Sequence, residues 1–352
     1  VNKHEKYIQR CIELAKNGLG TTYPNPMVGS VIVYNDTIIG EGWHQKAGQA
    51  HAEVNAIASV KDKSLLTKAT IYVSLEPCSH FGKTPPCSDL IVNTKIPNVV
   101  IGTVDPNVKV AGNGIKKLVE NGINVTVGIL ERECNALNKR FFTFHQKKRP
   151  FIILKWAQSR DGFLAPLQKE IAAPVWLTSD HSRQLVHKWR TEEQAILVGA
   201  QTVLDDNPKL NARDWFGLQP TRVVIDPNNR ILSSSAVLND QQKTIVFTRN
   251  QNLPNTENTA YIKIDFDQNS VAQMMQHLYE QELQSVIIEG GRHTLQAFID
   301  CGIWDEARIF TSKTLLENGI KAPSFPYFSS TEEQIATDQL VIVNNHDSID
   351  SI

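Results

Sequence analysis

Two consecutive α/β domains of layered architecture are what this sequence predicts, on three observations. Short apolar runs alternate with helix-period segments along the chain, the texture breaks once close to residue 148, and 352 residues exceed one ordinary hydrophobic core. No internal repeat is visible, so the halves are different folds and not a duplication.

In the first half, residues 8–15 place Ile8, Cys11, Ile12 and Ala15 on one helical face. Residues 29–40 read as a hairpin, with valine and isoleucine on either side of Asn35-Asp36. A helix is expected over 50–60, a strand over 70–75, a short helix over 88–93 and a strand over 99–103. Residues 114–120 are helical again, 124–129 form a strand, and 131–144 a helix. The charged stretch QKKRP at 146–150 then meets the apolar strand 151–156, which sets domains of 1–146 and 150–352.

The second half supplies strand candidates at 175–178, 195–198, 222–225, 244–248, 261–264, 285–288, 307–310 and 340–343. Helices are expected at 180–189, 270–280 and 293–299. The polar stretches 250–260 and 325–330 are expected as loops.

Composition excludes several function classes. With 36 basic against 37 acidic side chains, the chain announces no basic stripe for nucleic acid, although a local cluster could still meet a small anion. The start, VNKHEKYIQR, has no apolar leader stretch, and no segment reaches 18 uninterrupted apolar residues. Five cysteines in 352 residues make no disulfide framework. The expectation is a cytoplasmic protein.

Chemistry concentrates in HAE at 51–53 and PCSHFGKTPPC at 77–87. One imidazole, His51, and two thiolates, Cys78 and Cys87, suit tetrahedral zinc with a fourth position open, as in a catalytic site. Zinc lowers the pKa of a bound water, and a neighbouring carboxylate can take that proton and pass it to a leaving nitrogen. Glu53 is placed for both transfers. A histidine, a glutamate two residues on and a later pair of cysteines form the pattern of zinc nucleobase deaminases. A closed structural zinc would need a fourth ligand, for which His80 is the nearest candidate; otherwise His80 reads as a residue near the substrate. Cys11, Cys134 and Cys301 read as packed thiols.

Around this core stand Asn25 in a turn-like Pro-Asn-Pro, His44 in GEGWH, Lys83 between the cysteines, and Asp105 and Asn107 at the end of a strand. An amide at Asn25 can hold a ring edge and Lys83 can meet an anion. Each also reads as an ordinary loop-structuring polar residue.

The motifs NPMVGSVIV, GEGWH, AGQAHAEVNAI, YVSLEPCSHFGKTPPC and DPNVKVAGNG closely resemble the bifunctional riboflavin-biosynthesis deaminase–reductase family, RibD or RibG. The eight-residue SHFGKTPP spacer is its most particular feature. KWAQSRDG, WLTS, ILVGAQTVLDDNPKLNAR, RVVID and VIIEGG resemble the reductase partner, so the likeness runs through both halves. The resemblance implies a three-layer cytidine-deaminase-like domain followed by a dihydrofolate-reductase-like domain. It implies zinc-dependent deamination of 2,5-diamino-6-(5-phosphoribosylamino)pyrimidin-4-one, then reduction of the ribosyl group to ribityl by NADPH. It also implies a homo-oligomer formed through the reductase domain.

By the same resemblance His51, Cys78 and Cys87 match zinc ligands and Glu53 the proton carrier, while Asn25, His44, Lys83, Asp105 and Asn107 match substrate contacts. In the second half Lys155 matches a catalytic lysine. Ala157, Trp176, Thr202 and Asp206 match cofactor contacts, and Arg190, Leu210, Arg213 and Glu289 match substrate contacts. Gly290 and Gly291 are added as cofactor contacts on the residue pattern alone, a glycine pair between a strand and a helix. Three residues depart from the pattern: Val108 where proline is common, Arg160 where leucine is usual, and Asn207 in place of an aspartate before Pro208.

Without the resemblance the second half says less. Gly290-Gly291 between a strand and a helix allows phosphate to approach backbone amides, or is a plain turn. The spacing G-x-G-x-x-G is absent there, which argues against a Rossmann half-domain. Arg190 and Arg213 can grip a phosphate or lie on a solvated surface, and Trp176 can pack in a core or meet a flat cofactor. The competing functions are a nucleic-acid or free-base deaminase with an unrelated accessory domain, disfavoured by the balanced charge, and a noncatalytic metal protein, which leaves Glu53 unexplained.

Overall fold

A computed structural model describes residues 2–81, 85–106, 111–169, 171–250, 252–324 and 330–345. The chain divides into two compact units, Val1–Lys147 and Lys148–Ile352.

The first unit is a five-stranded sheet between two helical layers. Its elements are α1 (Lys3–Ala15), β1 (Gly29–Tyr34), β2 (Thr37–Trp43), α2 (Ala52–Ser59), β3 (Thr70–Leu75), α3 (Cys87–Asn93), β4 (Asn98–Thr103), α4 (Asn113–Glu120), β5 (Asn124–Val127), α5 (Glu131–Leu137) and α6 (Lys139–Lys147). The sheet order is β2-β1-β3-β4-β5, antiparallel across β2, β1 and β3 and parallel from β3 to β5. Strand alternation sorts its two faces. Val31, Val33, Tyr72 and Val100 pack with Ile8, Cys11 and Ile12 of α1 and Cys134 of α5, whereas Ile32, Ile71, Val73, Val99 and Ile101 pack with Ala56, Ile57, Ile91 and Leu118 of α2, α3 and α4. Asn35 (φ 45°) and Asp36 (φ 59°) turn the hairpin, the positive angles that a two-residue β-turn matching the strand twist demands.

The second unit carries β6 (Phe151–Gln158), β7 (Phe163–Ala165), α7 (Asp180–Glu192), β8 (Ala195–Gly199), α8 (Ala200–Asp206), β9 (Thr221–Ile225), β10 (Thr244–Thr248), β11 (Thr259–Lys263), α9 (Ser270–Glu280), β12 (Ser285–Ile288), α10 (Arg292–Asp300), β13 (Glu306–Thr311), β14 (Ile320–Lys321), β15 (Ser330–Ile335) and β16 (Asp338–Asn344). Nine strands run β11-β10-β9-β8-β12-β6-β13-β16-β15, parallel as far as β13, with β16 and β15 added antiparallel at one edge. Both faces of the parallel part are covered, which is why its strands read as near-continuous apolar runs. Ile152, Leu154, Leu197, Val223 and Ile288 pack with α9 and α10, while Ile153, Ile287 and Phe310 pack with Val186 and Trp189 of α7, and Ile196, Val198 and Val224 pack with Val203 of α8.

Both halves are thus mixed α/β, as expected, with local differences. Residues 175–178 form no strand: Val175 and Trp176 are exposed, so this apolar run serves a surface and not a sheet. The helix expected over 131–144 is two, α5 and α6, interrupted at Asn138, whose buried side chain takes the N–H of Met27 and donates to its carbonyl, both at 2.8 Å. Strand β11 begins at Thr259, inside the expected loop 250–260. Helix α8 and strands β7, β14 and β15 were not expected; Ser330, expected as loop, opens β15, while 325–329 lie outside the described residues. Among the described residues no helix is long and apolar enough to cross a membrane.

Candidate functional site

In the first unit the chemistry gathers where two helices begin. His51 is the cap residue of α2, with an extended backbone and no capping bond from its ring, so the imidazole is left to face elsewhere. Cys87 opens α3 directly after Pro86, and Cys78 follows the end of β3. Nδ1 of His51 lies 3.6 Å from Sγ of Cys78 and 3.4 Å from Sγ of Cys87. All three donor atoms fall within 4.8 Å of one another. A tetrahedral zinc bound at about 2.05 Å to nitrogen and 2.3 Å to sulfur requires N···S edges of about 3.6 Å, so the donors stand at ligand spacing. His80 is exposed and not part of this group.

The electrostatics agree with a thiolate site. A hydrogen bond from Cys87 brings the Cys78 thiol down to about 4 against its own burial, helped by His51 and by the Cys87 N–H, which donates to the Cys78 sulfur at 3.3 Å. The same bond, with burial, pushes Cys87 up, so the pair shares one proton. Hydrogen bonding to Cys78 raises His51 against its burial, with the charge of Glu53 adding. Glu53, in the first turn of α2, is 3% exposed. Burial pushes its carboxyl up to about 7, and the Cys78 charge adds to the rise. A carboxyl that gains and loses a proton near neutrality suits general acid–base work.

Asn25 and His44 stand beside this cluster. The Asn25 amide donates to Nε2 of His44 at 3.1 Å, Nδ1 of His44 donates to the Ala50 carbonyl at 3.1 Å, and the His44 ring meets His51 edge-on at 5.2 Å between centroids. This network makes His44 neutral with its proton on Nδ1, and burial lowers its pKa in the same sense. Lys83 and Asn107 lie outside the described residues, as does Val108. Asp105 is described, and its N–H donates to Glu76 at 3.3 Å.

Glu76 and Asn138 were not singled out from sequence. The buried Glu76 carboxylate accepts N–H bonds from Asp105, Gly112, Gly114 and Ile115 at 2.9–3.3 Å, tying Asp105 to the start of α4. Gly114 is required for that approach: a Cβ there would lie 2.1 Å from the Pro77 carbonyl oxygen. Asn138 fixes Met27, two residues from Asn25. The signal for Glu76 was its place two residues before Cys78. Nothing local marked Asn138.

In the second unit a cleft of about 1280 Å³ is lined by all eleven residues expected there: Lys155, Ala157, Trp176, Arg190, Thr202, Asp206, Leu210, Arg213, Glu289, Gly290 and Gly291. At its floor Arg190 grips Glu289 with a fork, Nη2 to Oε2 at 2.7 Å and Nε to Oε1 at 3.3 Å, and Lys155 Nζ stands 3.8 Å from the same carboxylate. Burial would raise Glu289, but Arg190 and then Lys155 outweigh it and hold the carboxyl at about 2. Burial lowers Lys155 against the pull of Glu289.

The other expected contacts surround this floor. Thr202 Oγ1 accepts the Gly291 N–H at 3.0 Å, tying α8 to the glycine turn before α10. Asp206 pairs with Lys169. Trp176, 57% exposed, carries the Arg183 guanidinium 4.7 Å from its ring centroid. Leu210 is buried with φ 49°, a left-handed conformation uncommon for leucine. Arg213 is largely exposed at the cleft edge. Asn207 is the left-handed end of α8 (φ 41°), a conformation asparagine tolerates well, and its Oδ1 accepts the Ala236 N–H. Arg160 is exposed.

Comparison with known proteins adds identity to this geometry. Residues 1–103 match the family model "Cytidine and deoxycytidylate deaminase zinc-binding region", and residues 150–319 match "RibD C-terminal domain". The riboflavin biosynthesis protein RibD of Aquifex aeolicus is 39% identical over 90% of this chain and 88% of its own, and that of Escherichia coli 36% over 89% and 88%. The crystal structure of a Thermotoga maritima diaminohydroxyphosphoribosylaminopyrimidine deaminase/5-amino-6-(5-phosphoribosylamino)uracil reductase superposes with a TM-score of 0.87 at 38% identity, covering 97% of this chain and 98% of that one. With a zinc-binding deaminase region in one half and a reductase domain in the other, the chain belongs to the RibD family of bifunctional riboflavin-biosynthesis enzymes.

Proposed function

We propose that residues 1–146 deaminate 2,5-diamino-6-(5-phosphoribosylamino)pyrimidin-4-one and that residues 150–352 reduce the deaminated product with NADPH in the cytoplasm. The observation that carries the first step is the spacing of His51, Cys78 and Cys87 with Glu53 buried beside them. These three residues hold zinc. Zinc held there would supply an acidified water as the nucleophile.

Glu53 would take one proton from that water as its oxygen bonds to the ring carbon, and deliver it to the amino nitrogen as the C–N bond breaks; ammonia leaves, and the second water proton passes to the adjacent ring nitrogen to leave a ring carbonyl. Asn25 has one of its two amide hydrogens committed to neutral His44, and its carbonyl oxygen would receive a donor on the pyrimidine edge. Asp105 is held for the same ring by Glu76 through its backbone, and Lys83 and Asn107 complete the substrate set.

The reductase step is supported by the gathering of the expected residues in one cleft. Bound in this cleft, NADPH would supply a hydride to the carbonyl carbon of the opened sugar, with a proton from solvent going to its oxygen. Gly290 and Gly291 would let its phosphates approach the start of α10, the Gly291 N–H itself being given to Thr202, with Ala157, Trp176, Thr202 and Asp206 alongside. Lys155 lies at the reacting carbonyl, oriented by ionised Glu289, while Leu210, Arg190 and Arg213 hold the sugar and its phosphate.

Purified protein with one zinc per chain is expected to release ammonia from the diaminopyrimidine and to stop when the metal is stripped by a chelator. No release by the zinc-loaded protein would overturn the deaminase assignment, and undiminished release after complete removal of the metal would overturn the role of zinc.

A further inference from the structure

Helix α7 carries more of the reductase cleft than Arg190 alone. Its last turns run along the loop that follows Leu210 and meet it through His187, Lys188, Arg190 and Thr191. Arg190 Nη1 donates to the Asn211 carbonyl at 3.0 Å, and the His187 ring faces Arg213 and Asp214. Lys188 lies over the Trp215 ring, and Gly217 comes so close to Thr191 that a Cβ there would meet its side chain at 2.5 Å. His187 and Arg190 are three residues apart, so they share one helix face.

His187 is 4% exposed, and both ring nitrogens are used. Nδ1 accepts the Arg213 N–H at 3.3 Å, and Nε2 donates to the Asp214 carboxylate at 3.1 Å. This fixes a neutral ring with its proton on Nε2. Burial, then the charges of Arg190 and Arg213, hold His187 at about 4, against the opposite pull of Asp214 and Glu289. The contacts therefore persist across neutral pH. The strained backbone at Leu210, three residues before Arg213, shows that this loop does not rest in its own preferred shape and must be held.

We propose that His187 is a positioning residue: it clamps the backbone of Arg213 and the carboxylate of Asp214 so that the Arg213 guanidinium is presented at the cleft edge to the anionic end of the substrate. Arg190 is occupied by Glu289 and Asn211 at 2.7–3.3 Å, whereas the Arg213 guanidinium makes only longer contacts, 3.5 Å to Asn211 Oδ1 and 3.9 Å to Asp214, and is 43% exposed, which leaves it the more available fork for a phosphate. His187 acts on substrate capture and not on hydride transfer. The assignment rests on the reading of this cleft as the reductase site.

The test uses the full-length, zinc-loaded chain, supplied with the deaminated phosphoribosylaminouracil and NADPH. His187→Leu keeps the bulk and removes both hydrogen bonds. It should raise the KM for the phosphorylated substrate about tenfold, the scale of one lost hydrogen bond, with kcat and the KM for NADPH within about twofold of the parent. His187→Asn, which keeps an acceptor near Nδ1, should recover most of the loss. In an Arg213→Ala background His187→Leu should add nothing, because the group it positions is already gone. An unchanged KM, an equal rise in the KM for NADPH, or a further multiplication in the Arg213→Ala background would each overturn the assignment. If the parent chain itself fails to reduce the compound, the reading of the cleft falls and the assignment with it; if the parent reduces it and His187→Leu matches the parent, only the role of His187 falls.

Discussion

Replacing Glu289 by glutamine tests the floor of the reductase cleft, because it removes one charge from a buried set of three and changes little in shape. The side chains of Glu289, Arg190 and Lys155 are 9%, 12% and 14% exposed, so solvent screening is slight. A carboxyl held at about 2 instead of its ordinary 4.5 is favoured in its charged form by about 3 kcal/mol. That agrees with the ~3–5 kcal/mol expected when one partner of a buried ion pair is removed. The sign follows from linkage: a depressed carboxylate contributes fully above about 4.5, and its contribution is lost as pH falls towards 2. Glu289→Gln should therefore destabilise the second unit by about 3 kcal/mol at pH 7 but only about 2 kcal/mol at pH 3.5. Five of the six tryptophans lie in that unit, so urea unfolding followed by tryptophan fluorescence reports on it. A difference that is absent at pH 7, or that does not shrink on acidification, would refute the reasoning.

Further outcomes are expected in the first unit and at the end of α8. Glu53→Gln should leave zinc content unchanged by elemental analysis and lower ammonia release at least about a hundredfold; retained release would remove Glu53 from the proton path. Asn138→Ala should cost about 2 kcal/mol, since it strips partners from the buried N–H and carbonyl of Met27, and should raise the deaminase KM; denaturant midpoints and initial rates check both. Asn207→Ala should cost about 1–2 kcal/mol through its left-handed backbone and the lost Ala236 bond, whereas Asn207→Asp, which keeps an acceptor, should lie within about 0.5 kcal/mol of the parent by the same denaturation.

What the sequence made legible follows from how locally each feature is encoded. The cluster of His51, Cys78 and Cys87 with Glu53 beside it was readable because these four residues sit in two short motifs and each chemical type has few other reasons to be there. The central strands were readable because burial on both faces leaves apolar runs such as FIIL at 151–154, which opens β6. Residues 175–178 misled for the complementary reason: an apolar run at the rim of a cleft has the composition of a strand without its partners. Strand β15, STEEQI, is mostly exposed and polar, so an edge strand without apolar alternation passed unseen. Helix α8 starts without a gap after β8, and its polar AQTVLDD carries little apolar periodicity. Asn138, Glu76 and His187 act through partners 111, 29–39 and 26–27 residues away, which no local pattern records.

The central claim is that one chain performs deamination and then reduction. Supplied with the diaminopyrimidine and NADPH together, the zinc-loaded protein should release one ammonia for each NADPH oxidised, with ammonia appearing first. Cys87→Ser should abolish both signals on that substrate yet oxidise NADPH normally when given the deaminated compound. NADPH oxidation by Cys87→Ser on the undeaminated substrate, or none by the parent chain on the deaminated one, would contradict the account.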